Sequence, residues 1–184
     1  ADNFRVTYYG EATKTLELTK GYATFSAPVP YVIQTAGVNA YKADSHTNSE
    51  VNITNIGTEI PANTGVVVYG EGAERAVLTP LPGSTVTVDG NLLESNLEDY
   101  ELPQRQILGG VLYKNYTLGC QDGENVKFFL SSGKGILAAG KAYLHVPQDN
   151  NSGAKLDIVG DDITGISNVI TVPEPIGVMS SWMW

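Results

Sequence analysis

The residues best suited to chemistry in this chain are tyrosines. Tyr8, Tyr9, Tyr100, Tyr113 and Tyr116 fall near segments that read as loops or strand edges, and tyrosine is abundant, at 10 residues against 4 Phe and 2 Trp. A phenol pairs a flat apolar face with a polar tip, so a sugar ring can stack on the face while nearby carboxylates and amides take its hydroxyls. The competing use is structural, because strands favour Tyr for packing alone. Glu94, Glu98, Asp99 and Glu101 are the densest carboxylates. A glycosidase needs two carboxyls facing each other across the sugar, about 5 Å or about 6.5–9.5 Å apart. Crowded into one short stretch, these four read instead as a solvated acidic loop.

His46 and His145 are the only histidines, and neither has a second ligand close by in sequence. On a strand, His145 shares a face with Tyr143, opposite Ala142, Leu144 and Val146. Cys120 is the single cysteine, which excludes a disulfide framework and a multi-cysteine metal site. It reads as an inert thiol rather than as half of a Cys–His nucleophile pair. No cofactor is expected. The oxygen-rich stretches Asp149 to Gly153 and Asp161-Asp162 would suit structural calcium, though they lack the alternating ligands and terminal Glu of an EF-hand loop.

The formal net charge of −9, with eleven scattered Lys and Arg, argues against a nucleic-acid partner and against a basic membrane-surface role. No apolar run approaches the roughly 18 residues of a membrane span, so no membrane insertion is expected.

The elements that must position these side chains read as strands. Apolar runs of a few residues are broken repeatedly by Gly, Pro, Asn or Asp, and no window sustains a helical period with caps. The expectation is an all-β, antiparallel β-sandwich of jelly-roll or Ig-like type with little or no helix. The central stretch runs from Glu59 to Gly70: a turn at Pro61 to Gly65 feeds a fully buried strand, Val66 to Tyr69, with Arg75 to Thr79 as its hairpin partner. Pro28 and Pro30 demote the segment up to Tyr31–Ile33 to an edge. Asp44 to Glu50 reads as a polar loop, Val86 and Val88 as alternating positions, Asn91 to Gln106 as a surface excursion, and Leu108 to Leu118 as a return to strand through Gly109-Gly110. Residues 1–163 are expected to form one domain and residues 164–184 a linker with an apolar tail.

With these residues laid out, the chain resembles a known domain type. The ordered series Gly21 to Phe25 (GYATF), Val38 to Tyr41, Ile60 to Val68, Asn91 to Leu93, Tyr116 to Gly119, Ala139 to Leu144 (AGKAYL) and Thr164 to Ile166 is similar to a domain of secreted and cell-surface proteins of Bacteroidales-type bacteria. Such domains accompany leucine-rich repeats and carbohydrate-active modules. The resemblance implies a secreted or surface location in a bacterium and a non-catalytic accessory β-sandwich that binds a glycan or mediates adhesion. The alternative is a structural or assembly module, whose apolar tail pairs with a partner or with a neighbouring domain of the parent protein.

Overall fold

The computed structural model describes residues 12–121, 123–148, 153–160 and 163. Tyr8 and Tyr9, the Asp161-Asp162 pair, most of the Asp149–Gly153 stretch and the tail from 164 onward lie outside the described residues.

The described chain is all-β. Its strands are β1 (Lys14–Glu17), β2 (Tyr22–Phe25), β3 (Tyr31–Ile33), β4 (Asn39–His46), β5 (Glu50–Gly57), β6 (Glu59–Ile60), β7 (Val66–Tyr69) and β8 (Arg75–Pro80). Then follow β9 (Leu93–Asn96), β10 (Tyr100–Glu101), β11 (Arg105–Leu108), β12 (Val111–Gly119), β13 (Lys127–Leu130), β14 (Ile136–Leu137), β15 (Lys141–Pro147) and β16 (Lys155–Val159). A small sheet runs β1-β8-β3-β6, β10 and β14 form a ribbon, and a long sheet runs β2-β7-β4-β5-β16-β13-β12-β15-β9 with β11 beside β12. The pairings are antiparallel except β16 with β5.

The long sheet curls until its ends nearly meet. Just ahead of β9, Leu92 N donates to Ala43 O at 2.7 Å. This bond joins β4 just past the end of its pairing with β7. Asn91 holds the seam from both sides: its Oδ1 accepts from Ala43 N at 3.1 Å, and its Nδ2 donates to Gly65 O at 2.8 Å. Beyond β2, Ser26 acts as a clasp. Its N donates to Gly140 O at 2.9 Å, its Oγ donates to Lys141 O at 2.7 Å, and the same oxygen accepts from Asn96 N at 3.2 Å.

Two cores result, sharing one wall. Tyr22, Tyr41, Val67 and Tyr69 face the barrel interior with Phe128, Leu144, Leu156 and Ile158. Ala23, Phe25, Val66 and Val68 face the small sheet, with Tyr31, Ile60 and Leu78. This explains why β2 and β7 are buried along their whole length: a strand covered on both faces carries a continuous apolar run rather than an alternating one.

Several local expectations need correction. Tyr31–Ile33 is no edge, since β3 pairs with β8 on one side and β6 on the other; its prolines lie just before the strand, where no ladder donor is lost. Strand β4 continues through Asp44 to His46, so the loop is confined to the turn between His46 and Glu50, where Thr47 N donates to Glu50 O at 2.8 Å. The partner of β8 is β1 and β3 rather than β7. Residues 84–89 form no strand despite their alternation. The stretch from Asn91 to Gln106 contains β9, and Leu102 within it is 1% exposed. Gly109 and Gly110, with φ of 57° and 82°, make the two-residue turn of a β11–β12 hairpin instead of continuing one strand.

Gly65 supplies a test of the seam. A Cβ there would lie 2.7 Å from Glu94 O and 2.9 Å from Ala142 Cβ, so Gly65→Ala must push β9 and β15 away from the shared wall. Denaturant unfolding is expected to show a loss of about 1–3 kcal/mol, whereas Gly109→Asn, in an open turn where Asn accepts positive φ, should lose much less.

Candidate functional site

On the outer face of the barrel, β15 places Tyr143 and His145 two residues apart, and β12 places Tyr113 and Asn115 beside them. The register sets Asn115 opposite His145 and Tyr113 opposite Pro147, so Tyr113 is the diagonal neighbour of the imidazole. Diagonal pairs lie within reach of aromatic side chains. Tyr113 stacks on His145 with centroids 4.2 Å apart and planes 9° from parallel. Tyr143 meets the same imidazole edge-on, at 6.1 Å and 88°. The rings therefore form a right-angled corner rather than one flat platform.

Asn115 fixes the chemistry of the imidazole. It is fully buried, at the point where β11 gives way to β13 along one edge of β12. Its N donates to Gln104 O at 3.0 Å, its O accepts from Ser131 N at 2.8 Å, and its Nδ2 donates to Pro103 O at 2.9 Å. The amide nitrogen is thus committed, and its oxygen faces His145 Nδ1 at 2.6 Å. This network assigns the proton to Nδ1 and leaves the lone pair on Nε2. Burial holds the imidazole below its ordinary pKa, and the Glu94 carboxylate pulls weakly the other way.

Glu94 is exposed on β9, directly opposite Tyr143. Burial, then the charge of Glu94 and then Tyr100, raise the Tyr143 phenol to about 12, so it remains a hydrogen-bond donor at neutral pH. Tyr100 itself is 39% exposed. The segment carrying it crosses from β9 toward β11: Leu102 N donates to Gly135 O at 3.2 Å, and Leu102 O accepts from Ser131 Oγ at 2.8 Å.

Of the tyrosines singled out in the sequence, Tyr113 belongs to this corner, and Tyr100 lies near enough to Tyr143 to act on its phenol electrostatically. Tyr116 does not. It is fully buried in the barrel core, and its hydroxyl donates to Gly153 O at 2.8 Å, so it presents no face to a ligand. Tyr143 and His145 were readable as sharing a strand face, but Asn115 was missed because its four-way role depends on where two other strands end. Asp99 Oδ1 accepts from Ala139 N at 2.9 Å, which gives one of the acidic residues a structural task. His46 is only partly buried, at the far end of β4, and Cys120 Sγ lies 3.2 Å from Glu124 O. Among the described residues no group of three or more His, Cys, Asp or Glu is placed to hold a metal ion.

A second feature lies where β1 and β2 part. The Lys20-Gly21 turn, with φ of 49° and 87°, joins them, and Thr19 and Tyr22 exchange backbone bonds at 2.9 and 3.0 Å. The strands then diverge into different sheets, leaving a wedge of about 280 Å³ bordered by Glu17, Thr24, Leu118, Leu137 and Ala142. Hydrogen bonding alternates along an antiparallel edge, and Gly70 N already bonds Gly21 O toward β7. The peptide groups of Thr24 accordingly point into the wedge.

Comparison with protein families, with curated proteins and with solved structures returns no match.

The imidazole gives a direct check. By proton NMR, His145 should titrate below the ordinary value of about 6.5. The unfolded chain then binds a proton more readily than the folded one, so the contribution of His145 to stability is complete above pH about 6.5 and declines as pH falls below it. Asn115→Ala, which strands the Nδ1 proton and Pro103 O, is expected to cost about 1–3 kcal/mol in chemical unfolding.

Proposed function

We propose that this chain is a non-catalytic accessory module of a secreted or cell-surface bacterial protein, and that it works by binding a glycan, in adhesion or in presenting a neighbouring domain. The observation that carries this reading is the right-angled corner of Tyr113, His145 and Tyr143, with Tyr100 at its edge and Glu94 beside it. A sugar ring has an apolar face suited to an aromatic wall and equatorial hydroxyls suited to a carboxylate and a phenol. Glu94 stands opposite Tyr143 across the β9–β15 ladder, so a carboxylate and a phenol lie side by side. The resemblance to Bacteroidales-type surface domains agrees with this assignment.

One observation favours a second reading, in which the module assembles with a partner strand. The wedge between β1 and β2 offers unpaired strand-edge groups at Thr24 next to apolar walls, the arrangement by which sheets accept an added strand. Self-association that disappears in a chain ending at Gly165 would favour it.

A glycan-array screen of the whole chain tests the first reading. Saturable binding is expected, with Tyr143→Ala and Tyr113→Ala each weakening it about tenfold, equivalent to about 1.4 kcal/mol, while Asp89→Asn leaves it unchanged. Absence of binding to every glycan, or binding indifferent to both tyrosines, would remove the reading.

A further inference from the structure

We propose that β11 is a pairing surface for a second copy of this chain, joining the long sheets of two molecules edge to edge. Among the described strands, β11 pairs with β12 alone. Gln104 O takes the Asn115 N–H toward β12. Bonding alternates along an antiparallel strand, so Gln106 and Leu108 also bond toward β12, and the peptide groups of Arg105 and Ile107 point outward. Such an edge is a template for another strand unless charge, a bulge or a covering segment blunts it. β1, at the edge of the small sheet, carries Lys14 and Glu17. The open stretch of β2 is closed at its ends by the Thr19–Tyr22 and Ser26–Gly140 bonds. The β11 edge is unguarded by comparison: Ile107 is 70% exposed, Leu108 48%, and Val111 across the hairpin 44%.

The partner that fits this edge is the same chain. No Asp or Glu occurs between Glu101 and Asp122, so two molecules of net charge −9 meet here with little like-charge repulsion at the contact. The edge is also complementary to itself. A two-fold axis through Gln106 sets Arg105 of each copy opposite Ile107 of the other, and both outward positions then exchange their N–H and C=O bonds. This is an isologous contact, the commonest way for identical chains to associate. On one face of the joined sheet the two Ile107 side chains become diagonal neighbours, with the aliphatic stem of Arg105 beside them. On the other face, Gln106 stands opposite Tyr113 in each copy. The two Tyr113 side chains therefore share that face, three strand spacings or about 14 Å apart. Pairing would thus double the aromatic corner, a consequence that rests on the glycan reading; the pairing itself does not.

Sedimentation velocity of the whole chain, loaded from about 10 μM to about 1 mM, covers the weak association that a contact this small implies. A monomer–dimer equilibrium is expected, with Ile107→Lys weakening it at least about tenfold. Ile107 is exposed, so this variant should keep the denaturant midpoint of the parent. Amide hydrogen exchange supplies a second readout. The Arg105 and Ile107 amides should gain protection as concentration rises, while the Gln106 amide, turned toward β12, should not change. A chain that stays monomeric throughout would overturn the proposal. A dimer that persists in Ile107→Lys but disappears in a chain ending at Gly165 would assign association to the apolar tail and refute β11. No sugar enters these measurements, so failure here leaves the glycan reading standing.

Discussion

The structure depends on a wall, formed by β2, β7 and the first residues of β4, that is covered on both sides. β2, β7 and β4 present Tyr22, Tyr41, Val67 and Tyr69 to one core and Ala23, Phe25, Ala40, Val66 and Val68 to the other. A strand with a solvated face can absorb polar residues at every second position, but this wall has no such face. Small residues are needed wherever another backbone approaches it closely. Gly65 is one such point, with Glu94 O against the place a Cβ would take. The seam at Asn91 and the clasp at Ser26 then hold β9 and β15 against the wall, so the long sheet nearly closes around one core while the small sheet covers the other.

That closure positions the aromatic corner. Tyr113, Tyr143 and His145 project from β12 and β15, which lie inside the ladder between β13 and β9, and Asn115 ties the imidazole to the backbone of two further segments. Side chains on paired strands are held more precisely than side chains on loops. Tyr100 differs: it comes from the short β10–β14 ribbon and stands at the rim. A sugar at this corner would therefore meet the Tyr113 and Tyr143 rings on paired strands, with Tyr100 exposed beside them.

The legible and illegible parts of the sequence divide along physical lines. The all-β class was legible because Gly, Pro and Asn interrupt every apolar run. The burial of Val66 to Tyr69 was legible because four consecutive apolar or aromatic residues suit only a strand covered on both faces. The shared face of Tyr143 and His145 followed from the two-residue period of β15. Pairing was not legible: β8 joins β1 and β3 because the hairpin after β7 turns away into the other sheet, and no local pattern at Arg75 to Thr79 records it. Val86 and Val88 alternate as a strand would, yet residues 84–89 pair with no strand. Tyr116 looked like an edge residue by its place in the sequence, whereas its register on β12 turns it into the barrel. Glu94 read as part of an acidic loop, and only the β9–β15 ladder places it across from Tyr143.

The central claim is that a sugar binds at the barrel's outer corner, and locating the sugar tests it most directly. In a protein-observed NMR titration with the glycan that binds on the array, the account predicts that the largest shift changes fall on the Tyr113 and Tyr143 rings, the Glu94 amide and the His145 imidazole, with intermolecular contacts from the sugar ring to the two tyrosines. Changes centred instead on Thr19, Thr24 and Leu118 would move the binding site to the wedge between β1 and β2 and contradict the account.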